Sequence, residues 1–373
     1  MCAGPESKAR PMIDCHVHAY GVTNGPQKLE EIRRYVGAER MNVVCTFRPE
    51  WVNTNPAAFV TKALYPGKFF IFPALDHANY FSDGSLSPPP LSEQVDRLKA
   101  IGADGIKMLE NKPTHRKLLD IPVDSLYFED YFSRVEETGI TILWHVADPE
   151  EFWDPMRTPK WAKERGWGYD KTFVDKEQLY AEVENVLIRH PKLKIVFAHF
   201  YFLSADLPRL ALLFERFEGV HVDLAPGIEM LYNISKDVSA GKDFFTKYAD
   251  RILFGTDISN EQTLDESGIR AGIVTRWLET DDEFRVPEEA DFLLGAPEDG
   301  VIRGLALPRD VLQKIYADNF VRLVGESPCP LNPGLAAEEC IRLAHEVSSM
   351  TGRRTDEVEA SRAVKILAQG IPE

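Results

Sequence analysis

Eight short apolar runs recur along this chain, and the stretches between them have the pattern of amphipathic helices. Most of the runs are continuously apolar rather than alternating, as expected for strands buried on both faces of a parallel sheet. Between the first two runs, Leu29, Ile32 and Val36 recur at helical spacing. The eight runs cover residues 12–18, 41–47, 68–76, 103–109, 140–146, 193–199, 219–225 and 251–257.

A strand followed by a helix and repeated eight times predicts a (β/α)8 barrel, the α/β fold of the TIM type. A doubly wound open sheet is the alternative. Such a sheet usually has fewer strands, and no glycine-rich phosphate loop follows the first run of this chain. The 373 residues suffice for one barrel with additions.

Two segments exceed a minimal barrel. Residues 258–306 are predicted to form a long acidic insertion after the eighth strand, before a helix over 307–325. The proline-rich sequence SPCPLNPG then leads into 328–373, where we expect two helices that pack on the barrel or contact another subunit. We therefore predict a barrel domain over 1–327 with a C-terminal helical extension.

Composition narrows the partners and the compartment. The net charge of −16 argues against nucleic acid, which requires a basic surface, but leaves a small-molecule substrate open. No apolar run approaches the roughly 20 residues of a membrane helix, and the N-terminus lacks the apolar segment of a secretory signal. The five cysteines include no C-x-x-C pair, which is typical of a reduced protein. We expect a cytoplasmic protein without a membrane partner, and a homo-oligomer is left open.

Polar residues stand at the carboxyl ends of several predicted strands, and in a barrel these ends form one face, where active sites are built. Side chains alternate along a strand, so the two histidines of the first strand point the same way. Histidines with a carboxylate are a suitable ligand set for one or two Zn²⁺ ions, or for Mn²⁺ or another first-row metal. The residues are His16 and His18 on the first strand, His145 on the fifth, His199 on the sixth and Asp257 on the eighth.

Asp257, in the sequence ILFGTD, has two interpretations. An aspartate at the end of an apolar strand is often the N-cap of the next helix. Because Asp257 completes the histidine set, we interpret it as a metal ligand and general base. A carboxylate that touches both metal and water takes the proton of the water, whose pKa the metal lowers toward ~7.

Lys107, in the fourth strand, has three open roles, since a lysine in an apolar strand is rarely buried without a partner. The first role is a carbamylated ligand that bridges two metals. The second is a catalytic-site cation that binds substrate or pairs with Glu110 or Asp257. The third is one half of a structural salt bridge. Whether one or two metals bind turns on this residue.

Other residues near the strand ends are candidates for the substrate or for catalysis. His199 is either a ligand or an acid beside the metal. Arg48 follows the second strand, where it is placed to hold a substrate carboxylate bidentately. Trp144 and Tyr201 are candidates for lining the pocket, although core packing is the commoner role of such residues. The remaining histidines are interpreted as structural or surface residues: His77, His115, His190, His221 and His345.

The motifs IDCHVH, GIKM, WHVAD, FAHF and ILFGTD, followed by LPRDVLQKIYADNFVRLVG, resemble the amidohydrolase superfamily in their order. Within it they are similar to the amidohydrolase-2 branch of metal-dependent hydrolases and decarboxylases. The resemblance covers residues 11–325 and implies a distorted TIM barrel with a divalent metal, usually zinc. The ligands that it implies are His16, His18, His145 and Asp257, with His199 catalytic or adjacent to the metal.

The resemblance also bears on the number of metals and on the loops. Relatives with a lysine on the fourth strand have two metals bridged by the modified lysine, or one metal and a free lysine. The loops over 110–122 and 148–170 are longer than in the simplest members. The second loop is rich in tryptophan, and we interpret it as a lid. Because such loops set specificity, the substrate of a relative does not transfer to this chain.

Three functions follow. The favoured one is a metal-dependent hydrolase in which activated water attacks an amide, ester or lactone of a small molecule and Asp257 passes the proton to the leaving group. The alternative is nonoxidative decarboxylation of a small aromatic or unsaturated carboxylic acid, with Arg48 orienting the carboxylate and Asp257 or His199 handling the proton. The third is a non-enzymatic metal-binding barrel, against which the intact ligand set argues.

Overall fold

Eight parallel strands, one for each apolar run of the sequence, form the centre of the molecule. The structure is a computed structural model that describes residues 11–82 and 84–369. The strands are β1 (Ile13–His18), β2 (Arg40–Val44), β3 (Phe69–Phe72), β4 (Gly105–Asn111), β5 (Thr141–Val146), β6 (Lys194–Phe197), β7 (Val220–Asp223) and β8 (Ile252–Leu253). Seven of the strands are shorter than their apolar runs, and β4 has the length of its run but lies two residues further along the chain.

The pairing of the strands follows their order in the chain and returns to the first. The strands β1 to β3 pair in sequence, and so do β4 to β8. A parallel bridge between Ala74 and Lys107 joins the two sets. Beyond β8, the segment Ile258–Ser259 pairs with Val17 and His18 of β1. The (β/α)8 barrel is therefore confirmed, with a distortion where the eighth strand is split.

Helices follow the strands and pack against them. The longest helix of the barrel is Leu264–Glu279, which follows β8. A π-helical turn over Lys314–Asp318 joins the helices Arg309–Gln313 and Asn319–Leu323 into one rod. The helices are α1 (Gly25–Tyr35), α2 (Asn55–Leu64), α3 (Ala78–Phe81), α4 (Leu91–Ile101), α5 (Pro113–Leu119), α6 (Glu129–Thr138), α7 (Lys160–Glu164), α8 (Lys176–Arg189), α9 (Leu207–Arg216), α10 (Ile228–Ser235), α11 (Val238–Lys247), α12 (Leu264–Glu279), α13 (Arg309–Gln313), α14 (Asn319–Leu323), α15 (Pro333–Thr351) and α16 (Glu359–Ala368).

The helix α14 closes the end of the barrel at which the strands begin. Phe320 packs against Phe70 of β3, with ring centroids 4.8 Å apart. The buried Asn319 amide donates to the carbonyls of Ala249 and Ile252, each at 2.7 Å, where β8 starts. The other end of the barrel, where the strands finish, stays open for the polar side chains.

The segment 258–306 differs from a simple insertion. Its first half is α12, whose Val274, Trp277 and Leu278 are fully buried in the barrel core. Acidic residues obscured this apolar stripe in the sequence. The excursion proper follows α12 and contains a short antiparallel pair, Glu283–Phe284 with Ile302–Arg303.

The C-terminal helices α15 and α16 pack on α2 and share one apolar cluster with it through Cys340, Leu343 and Ala363. The four cysteines within the described residues are free thiols, and Cys2 lies outside them. Across 11–82 and 84–369, no helix is both long and apolar enough to cross a membrane.

Candidate metal centre

His16, His18 and Asp257 bring three potential metal ligands together where β1 and β8 end. Their donor atoms all lie within 4.8 Å of one another. Asp257 Oδ1 is 3.0 Å from His18 Nε2 and 3.6 Å from His16 Nε2. The backbone N–H of Asp257 donates to the His16 carbonyl at 2.8 Å, so the seam between the first and last strands sets this distance.

The two histidines are oriented by acceptors on the far side of each ring. His16 Nδ1 is 2.8 Å from Asp223 Oδ2, and His18 Nδ1 is 2.9 Å from the Val44 carbonyl. Carboxylates and carbonyls only accept, so each ring carries its proton on Nδ1 and turns the lone pair of Nε2 toward Asp257. Two lone pairs and a carboxylate that face one another need a cation between them. The donor set therefore fits a divalent metal ion.

Asp257 is held in its ionised form. Burial alone would raise its pKa, but the close imidazole of His18 and the neighbouring rings of His16 and His199 hold the pKa well below its usual value. The guanidinium of Arg270 lies nearby, with Nη1 3.8 Å from Asp257 Oδ2 and 2.8 Å from the Asp257 carbonyl. Asp257 is thus a carboxylate that is available as ligand or base.

His199 lies beside the three ligands in a left-handed backbone conformation, with φ of 56°. Its N–H donates to Asp223 Oδ1 at 2.8 Å, and its Nδ1 donates to the Ala225 carbonyl at 3.1 Å. Its ring centroid is 5.1 Å from that of His16. Burial lowers the pKa of His199 to about 4, so the ring is neutral near pH 7. Strained backbone of this kind is concentrated at functional sites.

His145 is held differently from the other three histidines. Its Nε2 lies 3.1 Å from Asp148 Oδ1 and 3.4 Å from Lys112 Nζ. The carboxylate is the nearer contact and only accepts, while Lys112 directs its protons to Asp148 at 2.9 and 3.0 Å, so we assign the proton of His145 to Nε2 rather than to Nδ1. His145 is not one of the three residues whose donor atoms cluster, although its ring centroid is 4.8 Å from that of His199. Its role as a metal ligand stays a prediction.

Lys107 lies on the inner face of β4, with Nζ 3.4 Å from His16 Nε2. Burial lowers the pKa of this amine to about 8, against the pull of Asp223 and Asp257. The suggested pairing with Glu110 is wrong. Glu110 points to the other face of the strand, where its Oε1 is 2.9 Å from His77 Nε2.

A cavity of about 390 Å³ opens above these residues. Arg48 lies in its wall, with its guanidinium 5.6 Å from the ring centroid of Trp51, and its substrate-binding role stays a prediction. His115, which we had interpreted as structural or surface, also lines the cavity, and its Nε2 is 3.0 Å from the Phe47 carbonyl. The cations of the wall are Arg48, Lys107, Lys112 and Arg270.

Trp144 and Tyr201 do not line this cavity, contrary to expectation. Alternation along β5 turns Trp144 away from His145, and it is fully buried beside Phe132 and Phe197. Tyr201 stacks on Phe197 with ring centroids 4.0 Å apart. Both aromatic side chains pack between the strands and the outer helices.

The tryptophan-rich loop after β5 contributes to the wall of the cavity. We call residues 148–173 the aromatic loop. Its Phe152 and Tyr169 are buried in a small cluster with the loop's three tryptophans. Trp167 reaches the cavity, and Trp161 contacts Phe292 of the excursion after α12, with ring centroids 5.4 Å apart. The interpretation of the loop as a lid stays a prediction.

Three functional residues were not identified from the sequence. Asp223 ends β7, so the rule that found the histidines also applies to it. Asp148 stands three residues after His145, within the motif WHVAD. Arg270 lies in the middle of α12, and nothing in its local sequence marks it as a partner of Asp257.

Comparison with known proteins places these features in a family. The family model described as amidohydrolase matches residues 13–325. A protein described as amidohydrolase II has a similar structure, with a TM-score of 0.53 and 16% identity over 84% of this chain and 100% of its own. An uncharacterised TIM-barrel protein, Bb4693 from Bordetella bronchiseptica, gives a TM-score of 0.51 and 15% identity over 84% of this chain and 98% of its own. No curated protein matches.

Proposed function

Because this chain belongs to the amidohydrolase family, we propose that it is a metal-dependent hydrolase acting on an amide, ester or lactone of a small molecule. The observation that carries this proposal is the meeting of His16, His18 and Asp257 at the open end of the barrel. These residues would hold the ion, and zinc suits two imidazoles and a carboxylate. A bound divalent ion supplies Lewis acidity and brings the pKa of water toward ~7.

The residues of the chain would supply the proton transfers. Asp257 is ionised and lies between the histidines and Arg270, so it is placed to accept a proton from water in the cavity. The same carboxylate then returns that proton to the leaving group. His199 is neutral and has its Nδ1 engaged, so its Nε2 is an acceptor for water or substrate.

Positive groups in the cavity wall would orient the substrate. Arg48 and Lys112 stand in the wall on the side of β2 and β4, and Lys107 lies deeper, beside His16. These groups polarise a carbonyl oxygen or hold an anionic part of a substrate. The aromatic loop excludes water from above.

Nonoxidative decarboxylation is the second candidate, and the position of Arg48 in the cavity wall is the observation that favours it. Arg48 presents a guanidinium fork that matches a carboxylate. In this case Arg48 would hold the substrate, and Asp257 or His199 would exchange the proton at the carbon that loses CO₂.

Metal content tests the first requirement of both reactions. Purified protein is expected to hold one or two equivalents of divalent metal by mass spectrometry. The double variant His16→Ala with His18→Ala is expected to lose it while circular dichroism stays unchanged. Wild-type protein without stoichiometric metal, or a double variant with undiminished metal, contradicts the enzymatic proposal.

A substrate screen separates the two reactions. Lactones, amides and aromatic carboxylates are supplied to the wild type and to Asp257→Asn, while proton release and CO₂ release are followed separately. Proton release from a lactone or amide that is lost in Asp257→Asn is the expected result. CO₂ release that depends on Asp257 overturns the hydrolase in favour of the decarboxylase.

A further inference from the structure

Asp148 is the first residue of the aromatic loop, two residues after β5, and its buried carboxylate connects the far end of the loop to the floor of the cavity. Lys112 Nζ donates to its two oxygens at 2.9 and 3.0 Å. His145 Nε2 donates to Oδ1 at 3.1 Å, and the Tyr169 hydroxyl donates to Oδ2. One carboxylate thus accepts hydrogen bonds from a lysine at the end of β4, a histidine of β5 and a tyrosine at the far end of the loop.

Tyr169 is also the centre of the aromatic loop. Its N–H donates to the Phe152 carbonyl at 2.7 Å. Its ring centroid lies 4.7 Å from that of Trp153 and 4.8 Å from that of Phe173. The middle and far end of the loop therefore cannot move away from its first residue, Asp148, without breaking the hydrogen bond from Tyr169.

The orientation of His145 depends on the same carboxylate. Asp148 fixes the proton of His145 on Nε2, whereas His16, His18 and His199 have theirs on Nδ1. When a donor leaves a buried carboxylate, the remaining donors must compensate for it or water must enter. Loss of the tyrosine hydroxyl therefore changes the hydrogen bond that orients the His145 ring.

We propose that Tyr169 and Asp148 form a latch that couples closure of the aromatic loop to the orientation of His145. Both are positioning residues, since neither is placed to touch the reacting atoms. Their effect on turnover rests on the proposed function, but the latch itself is a structural property that needs no substrate to be tested.

Limited proteolysis tests the loop side of the latch. The loop carries exposed trypsin sites at Arg157, Lys160, Lys163 and Arg165. For protein purified with its metal, Tyr169→Phe keeps the ring and removes only the hydroxyl. Cleavage within the loop is expected to accelerate about tenfold, because cleavage follows the population of the open form. An unchanged cleavage rate overturns the proposal.

A double-mutant cycle shows whether Asp148 is the partner. Asp148→Asn is expected to accelerate cleavage as Tyr169→Phe does, and the double variant is expected to be no faster than Asp148→Asn alone. Additive effects contradict the latch. The matched control is Tyr248→Phe, which removes a hydroxyl that donates to Glu215 at 2.7 Å, away from the loop, and is expected to leave cleavage unchanged.

Nuclear magnetic resonance of ¹⁵N-histidine-labelled protein tests the His145 side. The Nε2–H signal of His145 is assigned by its absence in His145→Gln. It is expected to shift in Tyr169→Phe and to stay in place in Tyr248→Phe. Faster cleavage with an unmoved His145 signal overturns the coupling. Because neither measurement involves turnover, failure here leaves the hydrolase proposal intact, and failure of the metal analysis leaves the latch intact.

Discussion

Single hydrogen bonds decide which nitrogen each histidine turns toward the centre of the site. His16, His18 and His199 each give Nδ1–H to a protein acceptor and so expose Nε2. Such partners raise the basicity of a ligand and fix the plane of its ring. Asp223, the partner of His16, also contacts a second residue of the site, because it accepts a hydrogen bond from the backbone N–H of His199. Metal affinity should therefore depend on Asp223.

Asp223→Asn is expected to weaken zinc binding by about 10- to 100-fold, because an amide oxygen is a poorer acceptor for His16 Nδ1–H. Competition with a chromophoric chelator measures the affinity. Asp250→Asn, which changes a surface carboxylate paired with Lys314, is the control and should bind zinc as the wild type does. Equal affinities for all three proteins would show that Asp223 does not orient His16.

At this scale the sequence predicted the residues that stand at strand ends but not their partners. His16, His18 and Asp257 were identified because one geometric rule applies to every strand of a barrel. Asp223 also stands at a strand end, but it lies 207 residues from His16, so nothing in the sequence pairs the two. Arg270 lies in the middle of a helix, where no local pattern marks it as a partner of Asp257. The prediction for Trp144 was wrong because the strand-end rule considers only where a residue lies along its strand. Alternation of side chains decides whether the residue faces the cavity, and Trp144 faces away from it.

Among the elements, β4 passes so close to β3 that one position has no room for a side chain. A Cβ built on Gly105 would lie 2.3 Å from the Phe72 ring, inside the barrel. Gly105→Ala is therefore expected to lower the free energy of unfolding by about 1–3 kcal/mol, as overpacking does. Urea unfolding measures this change.

The matched control is Gly272→Ala in α12, where an added Cβ meets nothing within 4 Å. There alanine is expected to raise stability by up to about 1 kcal/mol through its helix propensity. The packing argument is refuted if both substitutions stabilise the protein.

The contact between α15 and the barrel predicts a pH effect. Burial and the neighbouring carboxylate of Asp76 raise the pKa of Glu346 to about 8 from an ordinary value of 4.5. Arg342 lies between the two, at 2.7 Å from each. The folded protein thus binds a proton that the unfolded chain has released, and stability falls as the pH rises through this window.

The substitution Glu346→Gln removes the loss of stability that ionisation of Glu346 causes at high pH. The variant is expected to exceed the wild type in unfolding free energy by about 1–3 kcal/mol at pH 8 and by much less at pH 5. Thermal melts at both pH values measure the difference. Glu338→Gln, an exposed position on the same helix, should follow the wild type at both. A gain at pH 5 equal to that at pH 8 would exclude titration of Glu346 as the cause.

Element types were predictable where the apolar pattern was strong. All eight strands were found, because burial on both faces leaves a continuous apolar run. α12 was missed for the opposite reason, since its buried stripe through Trp277 is interrupted by charged residues, among them the buried Arg270. A pattern cannot show that a charge in mid-helix is paired inside the protein.

For the whole molecule, the order of the strands was predictable and the cover of the site was not. The barrel rule brings distant strand ends together whatever the loops contain. The cavity is completed by the aromatic loop and by Phe292, which meet through the contact with Trp161. Their approach depends on tertiary packing of two irregular segments, for which sequence carries no periodic signal.

The seam of the barrel predicts how the molecule responds to loss of metal. The ligands His16 and His18 lie on the first strand and Asp257 follows the eighth, so an ion bound by all three ties the two ends of the sheet. A ligand present at 1,000 times its Kd stabilises the folded state by about 4 kcal/mol. Removal of the metal with dipicolinate is expected to lower Tm by roughly 5–10 °C in calorimetry, and added zinc should restore it.

The double variant His16→Ala with His18→Ala lacks two of the three ligands, so its Tm should be the same with and without chelator. If the chelator lowers the Tm of the variant as much as that of the wild type, the stabilising metal is bound elsewhere and does not close the seam.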